Sequence, residues 1–298
     1  MNTLHVRDKL KEEYGIVIGR ETLRKLFKQL SVPLHKHKSP RRFNRRERKP
    51  MAGMLVQSDG SFHDWFETGT KWMLIAVIDD ATSEVLWGEF FKAETTLNYM
   101  KVFTAVIERK GIFLSLYVDR HSCFETVRRD WNNRITFRRY DYDETQLERA
   151  LKELGIEMIN AKTPQAKGRI ERLWKTFQDR LFHELRLKGI KEPEAANRFL
   201  QETYLAVHNR SFAKPAAEPE LAYRSVPEGV DVKEVFCVKL TRLVKNDHTI
   251  SFESMLYKIL EDPIRASYAR AKVEVRVYPD ETMKVFYQGR QLNIQRLN

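Results

Sequence analysis

A chain of 298 residues can hold one sizeable core and one or two small satellites. Its 53 Lys and Arg against 41 Asp and Glu leave a formal charge of +12, which calls for a polyanionic partner, nucleic acid first. No apolar run nears the roughly 20 residues of a spanning helix and no signal peptide opens the chain, so a soluble, cytoplasmic protein without a membrane partner is expected. Cys123 and Cys237 are too few for a disulfide framework or a Cys-rich zinc site.

Residues 4–30 read as two short helices about a tight connection: Leu10 and Tyr14 lie on the first, Gly15 ends it, and Leu23, Phe27 and Leu30 recur at helical spacing on the second. This fits a helix-turn-helix whose Arg20, Arg24, Lys25 and Lys28 face a DNA groove, and equally an ordinary helical hairpin with a solvated basic face. Residues 35–49 hold eight Lys or Arg against one Glu, among them Arg41, Arg42, Arg45 and Arg46, and read as an extended arm suited to phosphates. His35 and His37 lack further ligands at zinc spacing.

From residue 54 the texture turns to β. MLVQSDGSF, KWMLIAVIDD and SEVLWGEFF predict three strands of an antiparallel meander. Thr95 can cap a helix through Lys110, and IFLSLYVD is a fourth strand running into Asp119. An amphipathic helix over 144–154, a fifth strand GIEMIN, a long helix from about Ala166 to near Leu187 and another from Pro193 to Asn209 follow. The order β-β-β-α-β-α-β-α predicts an α/β fold, a ribonuclease H-like mixed sheet flanked by helices. Residues 210–234 read as a linker, and from about Val235 short strands with turns at Asn246-Asp247 and Pro279-Asp280 predict a small β-barrel.

Phosphodiester chemistry needs two divalent ions held by a few carboxylates. In the predicted order Asp59 lies on the first strand, Asp119 ends the fourth and Glu171 sits on the first turns of the long helix, so acids 60 and 52 positions apart can meet. Gly60 and Ser61 allow close approach beside Asp59, and an acid ending the apolar strand before Asp119 is costly unless it coordinates something. Around Glu171 stand Lys167, Arg169, Arg172 and Lys175; Lys175 can bridge to Glu171 at i,i+4 or reach a phosphate. A structural role for each acid taken singly stays open, as it does for His63 and His121 beside them. Asp79 and Asp80 are explained by their turn. Trp65 and Trp174 read as core, and the chain has no Gly-rich phosphate loop.

QSDGSFHDWF, LIAVIDDATSEVLWGEF, YVDRHSCF, TPQAKGRIERLWKTFQDRLFHELR and NDHTISFESMLYKI resemble the blocks of the retroviral-integrase-like DDE recombinases, and within them insertion-sequence transposases of the ISNCY type. The resemblance implies catalytic, metal-binding Asp59, Asp119 and Glu171 with two Mg²⁺ ions that Mn²⁺ can replace. It further implies cleavage at transposon ends, joining of the 3′-OH to target DNA, and a homodimer or larger assembly on double-stranded DNA at the bacterial nucleoid. DNA contacts are expected from Arg24, Lys25, Lys28, Arg41, Arg42, Arg45, Arg46, Lys167, Arg169 and Lys175. The expected division is 1–33 helix-turn-helix remnant, 34–50 basic arm, 51–209 catalytic domain, 210–234 linker and 235–298 β-barrel.

Two departures from the family's pattern stand out. The family's DNA-binding region normally starts earlier, so Met1 is expected to fall inside it, and the Asp119 to Glu171 spacing is long, with RRDWNNRITFRRYDYDET as a surface excursion. A catalytically silent, truncated or domesticated DNA-binding protein is the competing expectation, and a plain ribonuclease H-like nuclease a third.

Overall fold

Near-continuous apolar runs in the second and third strands, buried on both faces, set the centre of the molecule. The computed structural model describes residues 3–32, 46–118, 145–160, 168–261 and 263–297. Strands β1 (Val56–His63), β2 (Trp72–Asp79) and β3 (Val85–Phe91) form the expected antiparallel meander. Strands β4 (Ser115–Val118) and β5 (Glu157–Asn160) add in parallel beyond β1, giving the order β3-β2-β1-β4-β5. This mixed sheet with flanking helices is the ribonuclease H-like arrangement.

Helix α3 (Thr96–Lys110) covers one face, receiving Met73, Ile75 and Val77 of β2, while Leu74, Ala76 and Ile78 enter the core on the other. The two-residue period of a strand thus feeds two cores at once. Thr95 caps α3 as expected, its Oγ1 accepting the Asn98 N–H at 3.2 Å, and Thr145 caps α4 (Gln146–Glu153) in the same way.

The long helix expected after residue 166 is two, α5 (Gly168–Asp179) and α6 (Leu181–Leu187). They part at Arg180, whose φ opens to −112° and whose side chain donates to Asp8 at 3.2 Å. Helix α7 (Pro193–Phe199), a π-helical turn (Leu200–Tyr204) and α8 (Leu205–Phe212) then run along the edge strand β3. There Asn197 donates to and accepts from the Phe90 backbone, Asn209 does the same for Val85, and Gln201 donates to the Gly88 carbonyl. Side-chain amides thereby satisfy an edge that would otherwise offer free backbone groups to another strand.

Residues 213–224 lie as a strap along the body that holds the five-stranded sheet. Lys214, Glu218, Ala222 and Arg224 donate backbone N–H groups to Thr82, Pro50, Ala52 and Ile112. The strap passes so close to Gly111, at φ +93°, that a Cβ there would sit 2.6 Å from the Arg224 carbonyl oxygen.

Helix α9 (Val232–Val235) leads to seven strands, β6 (Val238–Leu243), β7 (Thr249–Phe252), β8 (Met255–Ile259), β9 (Lys272–Val277), β10 (Met283–Tyr287), β11 (Arg290–Leu292) and β12 (Ile294–Leu297). They pair as two sheets, β11-β10-β9-β6 and β12-β8-β7, about one core of Val244, Ile250, Val273, Val275 and Val285. The pairing stops short of a closed barrel.

At the other end, α1 (Thr3–Tyr14) and α2 (Arg20–Gln29) form the expected hairpin, with Gly15 at φ +66°. Its apolar stripe is not a core: Leu23 is buried, but Tyr14 is 70% and Leu30 72% exposed. Two helices this short cannot enclose such side chains. Helix α1 is held instead by polar contacts to α6, where Glu184 pairs with both His5 and Lys9 at 2.8 Å. Burial pushes the Glu184 carboxyl up, but hydrogen bonds from His5 and Lys9 outweigh it and leave it below the usual range.

His208 on α8 packs edge-on against Phe177, ring centroids 5.0 Å apart. Burial pushes this imidazole down to about 4, with the Arg180 charge acting in the same direction. Below its ordinary value near 6.5 the unfolded chain takes up a proton that the folded one refuses, so stability is lost as pH falls from there towards 4. The wild type is expected to lose about 2 kcal/mol more than His208→Leu between pH 7 and pH 5. Urea unfolding at the two pH values measures it, and equal losses would refute the assignment.

Candidate active site

Three polar contacts tie helix α5 to strand β1 in step. The Ile170 N–H donates to Gln57 Oε1 at 3.3 Å, Trp174 Nε1 donates to Asp59 Oδ2 at 2.9 Å, and Gln178 Nε2 reaches Ser61 Oγ at 3.4 Å. Four residues of helix rise about 6 Å and two residues of strand about 6.6 Å, so one advance matches the other. Residues 57, 59 and 61 share one face of β1 and residues 170, 174 and 178 one side of α5. Glu171, exposed on the first turn of α5, therefore lies at the level of β1 between Gln57 and Asp59. Asp59 is half-buried and takes the Trp174 donor on one of its two oxygens.

Strand β4 completes the setting. Its pairing Val56↔Leu116 and Gln57↔Tyr117 carries a constant offset that brings its last residue, Val118, level with Ser58, the neighbour of Asp59. Asp119 itself lies outside the described residues, as do His121, Arg41, Arg42, Arg45 and Lys167. Among the described residues no three His, Cys, Asp or Glu side chains converge as a ready metal cluster.

Beside Gln57, on the face of β1 that bears Asp59, sits a carboxylate whose role the turn reading missed. Asp79 does serve the turn, accepting from Thr82 N and Oγ1 and from Gly53 N. Asp80 instead points inward, with a side chain 0% exposed. It accepts from Gln57 Nε2 at 2.8 Å, Lys49 N at 2.9 Å and Arg169 at 2.9 Å, and also from Arg46. The signals were present: a glutamine heading a strand otherwise meant for the core, and a second acid where the turn needs one.

This changes the reading of two basic residues. Arg46 and Arg169, expected on DNA, are engaged by Asp80, and Arg169 also donates to the Arg46 carbonyl at 3.2 Å. A buried carboxylate needs cations more than a solvated phosphate contact does. Arg24, Lys25 and Lys28 remain exposed on α2, with Arg24 in a loose pair with Glu21 at 3.4 Å. Lys175 is exposed, and among the described residues no ion pair joins it to Glu171. His63 stacks on Phe182, centroids 5.7 Å apart and planes at 6°, which makes it part of the packing. Trp65 is core as expected, whereas Trp174 is core with its N–H turned to Asp59.

No protein-family profile matches the chain. Over 288 residues, 96% of its length, it is 33% identical to y4bF of Sinorhizobium fredii, named as a transposase, of which it covers 61%. It is 29% identical over 289 residues to the transposase for insertion sequence IS1202 of Streptococcus pneumoniae, covering 86% of this chain and 60% of that protein. The chain thus spans about three fifths of the length of these curated relatives. Among solved structures, the catalytic core domain of BIV integrase overlaps 62% of this chain and 93% of its own, at 21% identity and a TM-score of 0.36. No described helix is long and apolar enough to cross a membrane.

Proposed function

From the similarity to two proteins named as transposases, over 96% and 86% of the chain, we propose that it is a metal-dependent DNA strand transferase with Asp59, Asp119 and Glu171 as its catalytic acids. The observation that supports this is the ladder of contacts between β1, which bears Asp59, and α5, which bears Glu171, with β4 paired beside β1. An all-carboxylate donor set suits Mg²⁺, which prefers hard oxygen and keeps several waters, and Mn²⁺ should substitute. Two such ions, when bound, would activate the attacking oxygen and stabilise the leaving one.

The chain's own residues do the rest. Trp174 fixes one oxygen of Asp59 and so orients its carboxylate. Glu171 would join it from a helix turn tied to Gln57. Phosphate contacts fall to Arg24, Lys25 and Lys28 on α2, to Arg41, Arg42 and Arg45 of the arm, and to Lys167 and Lys175 at the catalytic helix. Residues 51–209 form the catalytic unit, and the flanking hairpin and β-sheets serve DNA binding. The substrates would be transposon ends and target DNA, gripped by at least two protomers at the bacterial nucleoid in the cytoplasm.

The test is nicking and strand joining on duplex oligonucleotides carrying the ends that flank the gene. Products in Mg²⁺ or Mn²⁺ that vanish with chelator are expected. Binding without product in either metal would leave the catalytically silent reading in its place.

A further inference from the structure

We propose that Asp80 is the positioning residue of this centre, holding the first turn of α5, and with it Glu171, in register with Asp59. The inference rests on the carboxylate reading above.

Asp80 gathers three separate stretches of chain. Its Oδ1 takes Arg46, Gln57 Nε2 at 2.8 Å and Arg169 at 2.9 Å, while Oδ2 takes the Lys49 N–H at 2.9 Å. Two of these reach the same helical turn. Arg169 stands two residues before Glu171, and Gln57 passes the contact on by accepting the Ile170 N–H at 3.3 Å. The first turn of any helix carries N–H groups without partners inside the helix, and it frays first when outside contacts go. Further along α5, Trp174 and Gln178 hold β1 independently of Asp80. Loss of the Asp80 charge therefore frees the turn that bears Glu171 and leaves the body of the helix in place.

The turn does not need this acid, because Asp79 supplies the turn's acceptors. A fully buried carboxylate with two arginines, placed beside a metal-binding pair, does what outer carboxylates do for metal ligands generally: it orients them.

The experiment titrates the full chain with Mn²⁺ alone, following the electron paramagnetic resonance signal of the free ion, beside thermal melts and cleavage rates. Compared are wild type, Asp80→Asn, Arg169→Lys, Glu171→Gln and the Asp80→Asn/Glu171→Gln pair. Glu184→Gln, which loosens the α1 anchor elsewhere, controls for plain destabilisation. Folded Asp80→Asn is expected to bind Mn²⁺ roughly 10- to 100-fold more weakly. Arg169→Lys should lose a smaller factor, the double variant should be no weaker than Glu171→Gln, and Glu184→Gln should melt earlier with its Mn²⁺ affinity intact. Wild-type Mn²⁺ affinity in folded Asp80→Asn, or independent multiplying losses in the double variant, would overturn the proposal. Should Asp80→Asn not fold, wild-type affinity in Arg169→Lys would overturn it equally. Wild type and Glu171→Gln binding Mn²⁺ alike would bring down the carboxylate reading itself, whereas loss in Glu171→Gln without loss in Asp80→Asn removes only the positioning role.

Discussion

Glu171→Gln is expected to slow DNA cleavage and joining by about 10³-fold or more, equivalent to roughly 4 kcal/mol of transition-state stabilisation, while duplex affinity changes little. The substitution keeps the size and polarity of an exposed side chain on the first turn of α5, so the fold has no reason to respond. It removes only the negative charge that a divalent ion requires. Trp174→Phe offers a graded companion. It keeps the ring in the core but withdraws the donor 2.9 Å from Asp59 Oδ2, so a loss of about 10- to 100-fold in metal affinity or rate is expected. Full activity in Glu171→Gln, measured on the same duplexes at equal protein occupancy, would remove it from the site.

Phe177→Ala is expected to cost about 3–5 kcal/mol of stability. Phe177 is fully buried on α5 and meets Trp174, Tyr204 and His208 edge-on at 6.1, 5.6 and 5.0 Å. A cavity there loosens the seating of α5 on β1, so the melting temperature should fall by roughly 10 °C and activity should fail at temperatures the wild type tolerates. Calorimetry on the two proteins decides it, and a change of 1–2 °C would mean that α5 is held by the polar ladder alone.

The sheet was legible because its residues carry a local pattern. The unbroken apolar run of β2, a threonine at 95 before an amphipathic stretch and acids on a strand and a helix start are all visible without tertiary knowledge. What escaped reading is what only distant neighbours decide. The run from Gly168 to Leu187 is helical in pattern throughout, and it breaks at Arg180 where a salt bridge to Asp8 of another helix competes. Asn197, Gln201 and Asn209 look like solvated helix residues until β3 is placed beneath them. The strap over residues 213–224 is written in backbone hydrogen bonds, which leave no mark on side-chain composition. Arg46 and Arg169 looked like phosphate ligands because charge alone points outward, yet a buried acid 34 residues from one of them claims both.

The acids fared differently from the cations. Asp59 and the first turns of α5 lie on elements joined by the Trp174 bond, and β4 is described as far as Val118, level with Ser58. Asp80 was passed over because two consecutive acids at a turn have a sufficient local explanation, and only one of them uses it.

The most direct measurement of the central claim exchanges each acid in turn for cysteine and compares DNA cleavage in Mg²⁺ and Mn²⁺. Mg²⁺ demands hard oxygen ligands, whereas Mn²⁺ tolerates sulfur better. Asp59→Cys, Asp119→Cys and Glu171→Cys should each be inactive in Mg²⁺ and recover part of their activity in Mn²⁺. Undiminished cleavage in Mg²⁺ by any of the three would contradict its place among the metal ligands.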